Sequence, residues 1–313
     1  MSRVLVYLET GEGGVEETSL QALALAASLG EPEAVTVGPT VVGGVDRHWQ
    51  IDHEMLTDYA PEAIGEALAQ LVGQEMPAAM LAAGSERGNE VMAHLSALLD
   101  LPLAANVIAV KPAGEDWELT RVRWGGSLFE EARLSAFVKL ATVAPHAIEA
   151  RPLEAGSSLV RVTTFHPELP EELARTRVAE RVTVSEGITL TTAPVVVSGG
   201  RGVGSPEGFA ILEELAGLLG GAVGCSRVVT NNGWRPHSDQ VGQTGTRVAP
   251  NLYIACGISG AIQHWVGMMA SKSVLAINTD PESPMVTKAD YAVIGDLHPI
   301  LEAVVAEVQR RRA

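Results

Sequence analysis

Aromatic side chains, cysteines and positive charge are all scarce in this sequence of 313 residues. Aromatics make up 4% of the chain although 46% is apolar, so the core must rest on Ala, Val, Leu and Ile. That composition suits parallel strands covered by helices. The formal net charge of −16 repels phosphate backbones and argues against nucleic-acid binding. The one cationic run, Arg310–Arg312, is expected to interact with the dipole of a terminal helix.

The two cysteines, Cys225 and Cys256, lie in apolar segments and show no metal-ligand spacing. We therefore expect buried, reduced thiols, no metal site and a cytoplasmic protein. The chain opens directly into the strand-like run Val4–Leu8, without a signal or transit pattern. No apolar run approaches the roughly 18–20 residues of a membrane-spanning helix, so no membrane insertion is expected.

The first half of the sequence alternates strand-like and helical segments, which predicts a parallel sheet covered by helices. The predicted strands are Arg3–Glu9, Ala34–Val37 and Ala78–Ala83. The predicted helices are Glu17–Leu29, Pro61–Val72 and Asn89–Leu99. The apolar face predicted for the third helix comprises Val91, Leu95, Leu98 and Leu99.

Shorter strand-like runs separated by turn residues follow, and we expect them to add antiparallel strands to the same domain. These runs are Leu119–Trp124, Leu128–Ser135, Val138–Val143 and Leu159–Thr164. His166–Glu180 is rich in Pro, Glu and Arg and is predicted to be a connector. Arg181–Thr192 is predicted to add one more strand.

A second alternating unit starts at Ala193, so two domains are expected, residues 1–190 and 191–313. The predicted strands of this unit are Val195–Val197, Ala222–Val228, Leu252–Cys256, Val274–Ile277 and Tyr291–Ile294. Its predicted helices are Pro206–Leu219, Ala261–Met269 and Pro299–Arg310. The predicted fold class is α/β: an N-terminal Rossmann-like parallel-sheet domain with added antiparallel strands, and a smaller C-terminal parallel α/β domain.

A glycine-rich turn, Ser198–Gly204, follows the first strand of the second domain. Its glycines would let the backbone approach a ligand closely, and Ser205 and Pro206 are suited to start a helix. It is not a dinucleotide-binding G-x-G-x-x-G motif, because Ser205 stands where the third glycine should be. An anion site and a simple tight turn both explain this segment.

The segment Leu252–His264 carries a sharper signal. A buried strand ends, two glycines turn the chain, Ser259 is placed to cap, and a helix begins with free N–H groups, which is suited to hold a diphosphate. His264 lies a little over one turn into that helix, where it either faces a ligand or packs as an ordinary helix residue.

Three further polar turns are predicted at the same edge of the second sheet. Asp239–Thr246 is a polar, glycine-bearing loop, either a plain surface loop or one that holds the edge of a ring. Asn278 and Asp296 each follow a strand, where they are either simple turn residues or contacts to a ligand beyond the carboxyl ends of the strands.

Together these segments resemble the FAD domain of electron transfer flavoprotein alpha subunits. The resemblance extends over 193–297, and the motifs QVGQTG (240–245) and GISGAIQH (257–264) are its most specific parts. Further matching segments are Val195–Gly202, Gly224–Arg227, Ala276–Asn278 and Ala289–Tyr291. Gly125–Ser127 is a weaker match in the first domain.

The resemblance implies one FAD in this chain. Ser259 and the backbone through Gly260, Ala261, Ile262, Gln263 and His264 would hold the diphosphate. Asn278 and Asp296 would contact the adenosine, with Arg201 near the same side of the cofactor. The residues that would line the isoalloxazine are Ser226, Val241, Gly242, Gln243 and Thr244. Thr244 would lie at its N5 edge, His264 at the pyrimidine carbonyl and Arg227 against the ring.

The resemblance also implies partners and a role. The chain would pair with an electron transfer flavoprotein beta subunit that carries AMP or a second FAD. It would be an electron carrier rather than an enzyme, with no catalytic residues. Electrons would come from flavin dehydrogenases such as acyl-CoA dehydrogenases of fatty acid oxidation and pass to an acceptor such as a quinone oxidoreductase. Thr246 and Thr279 depart from the family pattern, in which lysine is frequent at both positions.

A serine hydrolase is the alternative from a different functional class. Gly257–Ala261 is one residue short of the G-x-S-x-G nucleophile motif, since Ala261 replaces the last glycine. Ser259 would be the nucleophile, and Asp280 or Asp296 with His298 would follow in the required order. A serine that only binds phosphate needs no such base.

Overall fold

The computed structural model of the chain describes residues 2–11, 14–40, 42–126, 128–150, 160–173, 175–178 and 188–312. The chain divides into two compact units. The first comprises Met1–Trp124 and Leu128–Val182, and the second comprises Gly125–Ser127 and Thr183–Ala313. The first unit has a large, mostly parallel sheet and the second a separate, smaller parallel sheet, so the predicted fold class is confirmed.

The first unit contains strands β1 to β11 and helices α1 to α3. The strands are β1 Arg3–Tyr7, β2 Thr10–Gly11, β3 Gly14–Val15, β4 Glu31–Val37, β5 Arg47–Ile51, β6 Ala79–Ala83, β7 Leu103–Ala113, β8 Asp116–Arg123, β9 Leu128–Leu134, β10 Lys139–Val143 and β11 Arg161–Phe165. The helices are α1 Glu17–Leu29, α2 Pro61–Glu75 and α3 Glu86–Leu99. The main sheet has the order β11-β5-β4-β1-β6-β10-β7-β8-β9.

The centre of this sheet is apolar on both faces, as expected for parallel strands covered by helices. In β1, Leu5 and Tyr7 pack in the core cluster that includes α2 and α3 residues. Val4 and Val6 point to the opposite face and pack in the cluster that includes α1 residues. Successive side chains of a strand alternate between faces, so one short strand contributes to two cores.

Of the four strands that were expected to be antiparallel, two are antiparallel and two are parallel. β8 and β9 do run antiparallel to their neighbours. β10 runs parallel to β6 and β7, and β11 runs parallel to β5, so the prediction of antiparallel strands there is wrong. The physical reason is visible in β10, whose Leu140–Val143 is buried on both faces, as in a central parallel strand.

Helix α3 turns a different face to the core than predicted. Val91 and Leu95 are fully buried, but Leu98 is 49% exposed and Met92 is buried instead. Strands β5 and β7 were not predicted. The strand predicted over Arg181–Thr192 lies partly outside the described residues, and 190–192 form a turn.

The second unit contains strands β12 to β16 and helices α4 to α8. The strands are β12 Val195–Gly199, β13 Ala222–Cys225, β14 Leu252–Cys256, β15 Val274–Asn278 and β16 Tyr291–Ile294. The helices are α4 Ala210–Leu219, α5 Arg227–Asn231, α6 Ile262–Met268, α7 Pro284–Lys288 and α8 Leu297–Arg312. All neighbours in the order β13-β12-β14-β15-β16 are parallel.

The two faces of this smaller sheet also carry separate cores. Val197, Ile254 and Cys256 pack with residues of α4 and α8 on one face. Val196 and Tyr253 pack with residues of α6 and α7 on the other. The carboxyl ends of all five strands therefore lie at one edge, framed by helices on both sides.

One predicted strand of the second unit is too long. The strand expected over Ala222–Val228 ends at Cys225, and a short helix, α5, begins at Arg227. The switch follows a single extended residue, Ser226, whose N–H donates to the Gly199 carbonyl of the neighbouring strand. In the part of the chain that the structure describes, no helix combines the length and apolarity needed to cross a membrane.

Candidate functional site

A cleft of about 640 Å³ lies at the carboxyl edge of the second sheet. Its walls come from the turns after β12, β13, β14 and β15, so four separate segments of the chain meet there. Ligands of open α/β sheets bind at this edge, and cleft volumes of roughly 300–1,000 Å³ are typical of small-molecule sites. The lining residues are Arg201, Gly202, Ser226, Arg227, Val228, Gly257, Ile258, Ser259, Ala261, Gln263, His264, Asn278, Asp280 and Ser283.

The turns after β12 and β14 form the floor of the cleft and are packed backbone against backbone. Gly200 N–H donates to the Cys256 carbonyl at 2.9 Å, and Gly202 N–H donates to the Gly257 carbonyl at 3.1 Å. A Cβ on Gly257 would lie 2.7 Å from Gly202 Cα, and its φ of +62° is unfavourable for other residues. The glycines that were expected to let a ligand approach thus allow the backbones of the turns after β12 and β14 to pack against each other.

The entry into α6 differs from the prediction in one respect. The residue before the helix is Ala261, which provides no side-chain cap, and Ser259 does not cap α6 as expected. The Ser259 carbonyl accepts a hydrogen bond from Met285 N–H at 3.1 Å, which ties this turn to α7. Gly260, at φ +79°, allows the close approach because a Cβ there would collide with Met285.

His264 lies in the first turn of α6 and is 7% exposed. Its Nε2 lies 2.9 Å from the hydroxyl of Tyr253, on β14. Its Nδ1 is buried and has no hydrogen-bond partner among the residues that the structure describes. Burial lowers the pKa of His264 to about 4, and the nearby main chain of Val241 acts in the opposite direction. The imidazole is therefore neutral at pH 7.

The loop Gln240–Gly245 does not line the cleft but braces the helix that does. Gln243 N–H donates to the Gln263 carbonyl at 2.7 Å. The side-chain amide of Gln240 donates to Thr244 Oγ1 at 2.9 Å and accepts from Thr230 Oγ1 at 2.7 Å. This internal network fixes the loop against the first turn of α6.

The two strand-end polar residues lie in different surroundings. The Asn278 side chain lines the cleft, and its Nδ2 donates to the Ile258 carbonyl at 3.0 Å. Its Oδ1 accepts from Asp280 N–H at 3.1 Å, so it fixes two turns of the cleft. Asp296 accepts from His298 N–H at 3.1 Å at the start of α8 and does not line the cleft.

The charges at the cleft are mixed. Arg201 and Arg227 are exposed cations on its lining, and Asp280 contributes the opposite charge. The nearby thiols take no part in this balance, since Cys225 and Cys256 are free, buried and uncharged. Burial raises the pKa of each thiol to about 12. Among the described residues no cluster of His, Cys, Asp and Glu could hold a metal ion.

The structure brings together eight of the residues predicted from the sequence. Those that line the cleft are Arg201, Ser226, Arg227, Ser259, Ala261, Gln263, His264 and Asn278. Those that do not line it are Val241, Gly242, Gln243, Thr244, Gly260, Ile262 and Asp296.

Sequence reasoning did not assign a role in the FAD site to six lining residues, Gly202, Val228, Gly257, Ile258, Asp280 and Ser283. Gly202, Gly257 and Ile258 lie in turns that were singled out, so the turn positions themselves were the available signal, and Asp280 was considered only for the hydrolase alternative. Val228 was hidden because its segment was predicted to be a strand.

The hydrolase alternative finds no support in this geometry. The side chain of Ser259 is exposed and, among the described residues, makes no hydrogen bond to a histidine. Asp296 contacts His298 only through the backbone N–H of that residue. A serine nucleophile needs a base within hydrogen-bond reach, often looser without substrate.

Comparisons with known proteins point in one direction. Residues 4–186 match the family described as electron transfer flavoprotein domain, and residues 189–269 match the electron transfer flavoprotein FAD-binding domain. The chain is 35% identical to the electron transfer flavoprotein subunit alpha of Mycobacterium leprae, over 100% of both chains. It is 36% identical to that of Mycobacterium tuberculosis strain H37Rv, over 100% of both, and 32% identical to that of Bacillus subtilis, over 98% of both.

Proposed function

Because this chain belongs to the electron transfer flavoprotein alpha subunit family, we propose that it holds one FAD in the strand-end cleft and carries electrons one at a time. The observation that carries the proposal is the cleft itself. Four strand-end turns converge on a space suited to a ligand, and three of them lie within residues 189–269, which match the FAD-binding domain.

The residues present fit such a cofactor. The cleft volume of about 640 Å³ lies within the range of small-molecule sites. Arg201 and Arg227 offer positive charge for a diphosphate or an electron-rich ring. His264, which lines the cleft, has a buried ring nitrogen without a partner in the described part of the chain, and a bound ligand would satisfy that atom.

Each segment has a distinct task in this proposal. Ser259 and the backbone from Gly260 to His264 hold the diphosphate. Since α6 has only seven residues, direct N–H contacts matter there more than the helix dipole. Asn278 holds two turns in place and, with Asp296, lies towards the adenosine, with Arg201 on the same side.

The isoalloxazine lies against the other wall. The residues assigned to it are Ser226, Arg227, Val241, Gly242, Gln243, Thr244 and His264. Bound FAD supplies the redox chemistry. Arg227 adds a cation beside the ring, and His264 adds a neutral donor; both favour negative charge on the ring because the site is partly dry. The chain thus contributes binding, orientation and electrostatics.

The wider role also belongs to the proposal. The chain works as an electron carrier in a heterodimer with a beta subunit, which holds AMP or a second FAD. It takes electrons from flavin dehydrogenases such as acyl-CoA dehydrogenases, in fatty acid oxidation, and passes them to an acceptor such as a quinone oxidoreductase. We place it in the cytoplasm, and assign residues 1–190 to the domain that packs on the beta subunit and 191–313 to the FAD domain.

The test of the function is purification of the full chain together with its beta subunit. We expect a yellow complex with a flavin spectrum and one FAD assigned to this chain. A colourless complex that does not take up added FAD would show that the proposed function is wrong.

The role of Arg227 is tested separately, by Arg227→Ala. We expect this variant to retain FAD while its one-electron reduction potential falls, because a cation beside the ring is lost. Arg310→Ala is the matched control, since Arg310 is an exposed arginine paired with Glu307 on α8. Equal potentials in wild type and Arg227→Ala, measured by spectroelectrochemistry, would remove Arg227 from the mechanism.

A further inference from the structure

The hydroxyl of Tyr253 lies deep in the second unit. Tyr253 is among the largest fully buried side chains and is surrounded by the apolar cluster that includes Val196 and Met268. A phenylalanine would fill the same space without burying a polar atom. Burying a hydroxyl is unfavourable unless it is hydrogen-bonded, so the presence of tyrosine points to a purpose for its bond.

The partner of that hydroxyl is His264 Nε2, at 2.9 Å. The two rings meet edge to face, with centroids 6.1 Å apart and planes at 62°. This contact joins β14 to the first turn of α6. It connects the buried core to a side chain that lines the cleft.

The bond restricts where the imidazole proton can lie. Burial raises the pKa of Tyr253 far above neutrality and lowers that of His264 to about 4, so the phenol keeps its proton and the imidazole carries one. A neutral imidazole has one donor nitrogen and one acceptor nitrogen. If the phenol O–H donates to Nε2, the imidazole proton must be on Nδ1.

The opposite arrangement would need a second acceptor for the phenol proton. Ser198 is the candidate, because it lies on the same face of the sheet, on the neighbouring strand β12. The Ser198 hydroxyl acts to lower the pKa of Tyr253, against the larger effect of burial, so it lies nearby. However, Ser198 Oγ is buried and has no hydrogen-bond partner among the described residues, so the phenol donates to His264 instead.

We propose that Tyr253 is a positioning residue, which holds His264 as a neutral imidazole with its proton on Nδ1. Nδ1–H is then a buried donor that has no acceptor within the described parts of the chain. The proposal rests on the proposed function in one respect: an oxygen of the bound FAD is the acceptor that this donor awaits. Tyr253 itself stays behind His264 and need not touch the ligand.

The first experiment reads the tautomer directly, without FAD. The full chain is labelled with [15N]histidine, purified with its beta subunit and depleted of FAD, and His264→Gln identifies the His264 signals. We expect a protonated Nδ1 and an unprotonated Nε2 in the wild type and in Ser198→Ala. A protonated Nε2 in the wild type would overturn the proposal, and so would a tautomer change in Ser198→Ala, because the relay through Ser198 predicts both.

The second experiment measures what the hydroxyl contributes to the ligand. In Tyr253→Phe we expect the tautomer preference to weaken and the FAD dissociation constant to rise about fivefold, the effect of one neutral hydrogen bond. Unchanged FAD affinity in a folded Tyr253→Phe complex would contradict the proposal. If this variant does not fold, the tautomer of His264 measured in the wild type still tests the proposal.

The two proposals fail in different ways. A wild-type complex that refuses FAD but shows protonated Nδ1 would end the proposed function and leave the positioning role of Tyr253 intact. A wild-type complex that binds FAD but shows protonated Nε2 would end the positioning role and leave the function intact.

Discussion

The burial of His264 makes the stability of the second unit depend on pH. Its pKa is about 4 in the folded chain, compared with an ordinary value of 6.5. When the pH falls below the ordinary value, the unfolded chain takes up a proton that the folded chain does not. The folded state therefore loses stability from about pH 6.5 downwards, and the loss levels off below about pH 4.

The size of this effect follows from the two pKa values. At pH 5.5 an unfolded histidine is about 90% protonated, whereas His264 in the folded chain is about 3% protonated. The linkage relation converts this difference into about 1.4 kcal/mol of lost stability between pH 7.5 and pH 5.5. The neutral-to-mildly acidic range is suitable for the measurement because it stays above the sequence pI of about 4.9.

The assay is urea unfolding of the full chain at both pH values, for the wild type and for His264→Gln. Glutamine cannot gain a proton, so the variant should lose about 1.4 kcal/mol less than the wild type between the two pH values. His237→Gln is the matched control, because His237 is exposed in the same unit. If His264→Gln shows the same pH-dependent loss as the wild type, within about 0.5 kcal/mol, His264 does not carry a depressed pKa.

Three further substitutions test backbone packing and a half-buried carboxylate. Gly257→Ala should destabilise the fold by at least about 2 kcal/mol, because φ is +62° and its Cβ would lie 2.7 Å from Gly202 Cα. Gly204→Ala, at φ +87° with open space around its Cβ, should cost about 1 kcal/mol in urea unfolding; equal losses would contradict the packing argument. Burial raises the pKa of Glu9, although the Ser85 hydroxyl donates a hydrogen bond to its carboxylate at 2.5 Å. The folded chain therefore favours the protonated form of Glu9, and it loses stability as the pH rises through the folded pKa and that carboxyl group ionises. Glu9→Gln should therefore raise the thermal midpoint at pH 7.5, and a lower midpoint would refute this assignment.

The sequence predicted most of the site because parallel sheets place all carboxyl ends at one edge. Arg201, Ser226, His264 and Asn278 are far apart along the chain, yet each follows a strand, and the sheet brings them to one cleft. This convergence requires only that the strands of the second sheet run parallel. The alternation of strand-like and helical segments in the sequence indicates that arrangement.

The direction of single strands and the identity of short segments could not be predicted in the same way. The run Arg227–Asn231 is rich in β-branched residues, which favour strands, but it forms α5 because Val229 packs into the core beside the sheet. In this segment the tertiary contact of Val229 outweighs the local preference for a strand. Likewise, β10 and β11 were predicted to be antiparallel because their segments are short and separated by turn residues. Their parallel pairing depends on where they lie in the sheet: β10 pairs with β6, and β11 pairs with β5.

The bond between Tyr253 and His264 marks another limit. Their separation of 11 residues runs from a strand through a turn into a helix, so no single periodicity relates the two positions. In the sequence Tyr253 is only one more apolar residue of a buried strand. The contact exists because β14 leads through a glycine turn into α6, and the return path of the chain places the first helical turn over the preceding strand.

The glycines of the cleft have a structural task in addition to the one expected from the sequence. Gly200 and Gly202 were expected to let the backbone approach a ligand, and the nearest atoms to their absent side chains belong to the neighbouring turn at Gly257 and Ile258. The two turns can then share hydrogen bonds and form one continuous floor. A floor held by main-chain bonds does not need to be ordered when a ligand arrives, so less of the binding free energy is lost to ordering. The glycines therefore serve the ligand indirectly, by making the site rigid before the ligand binds.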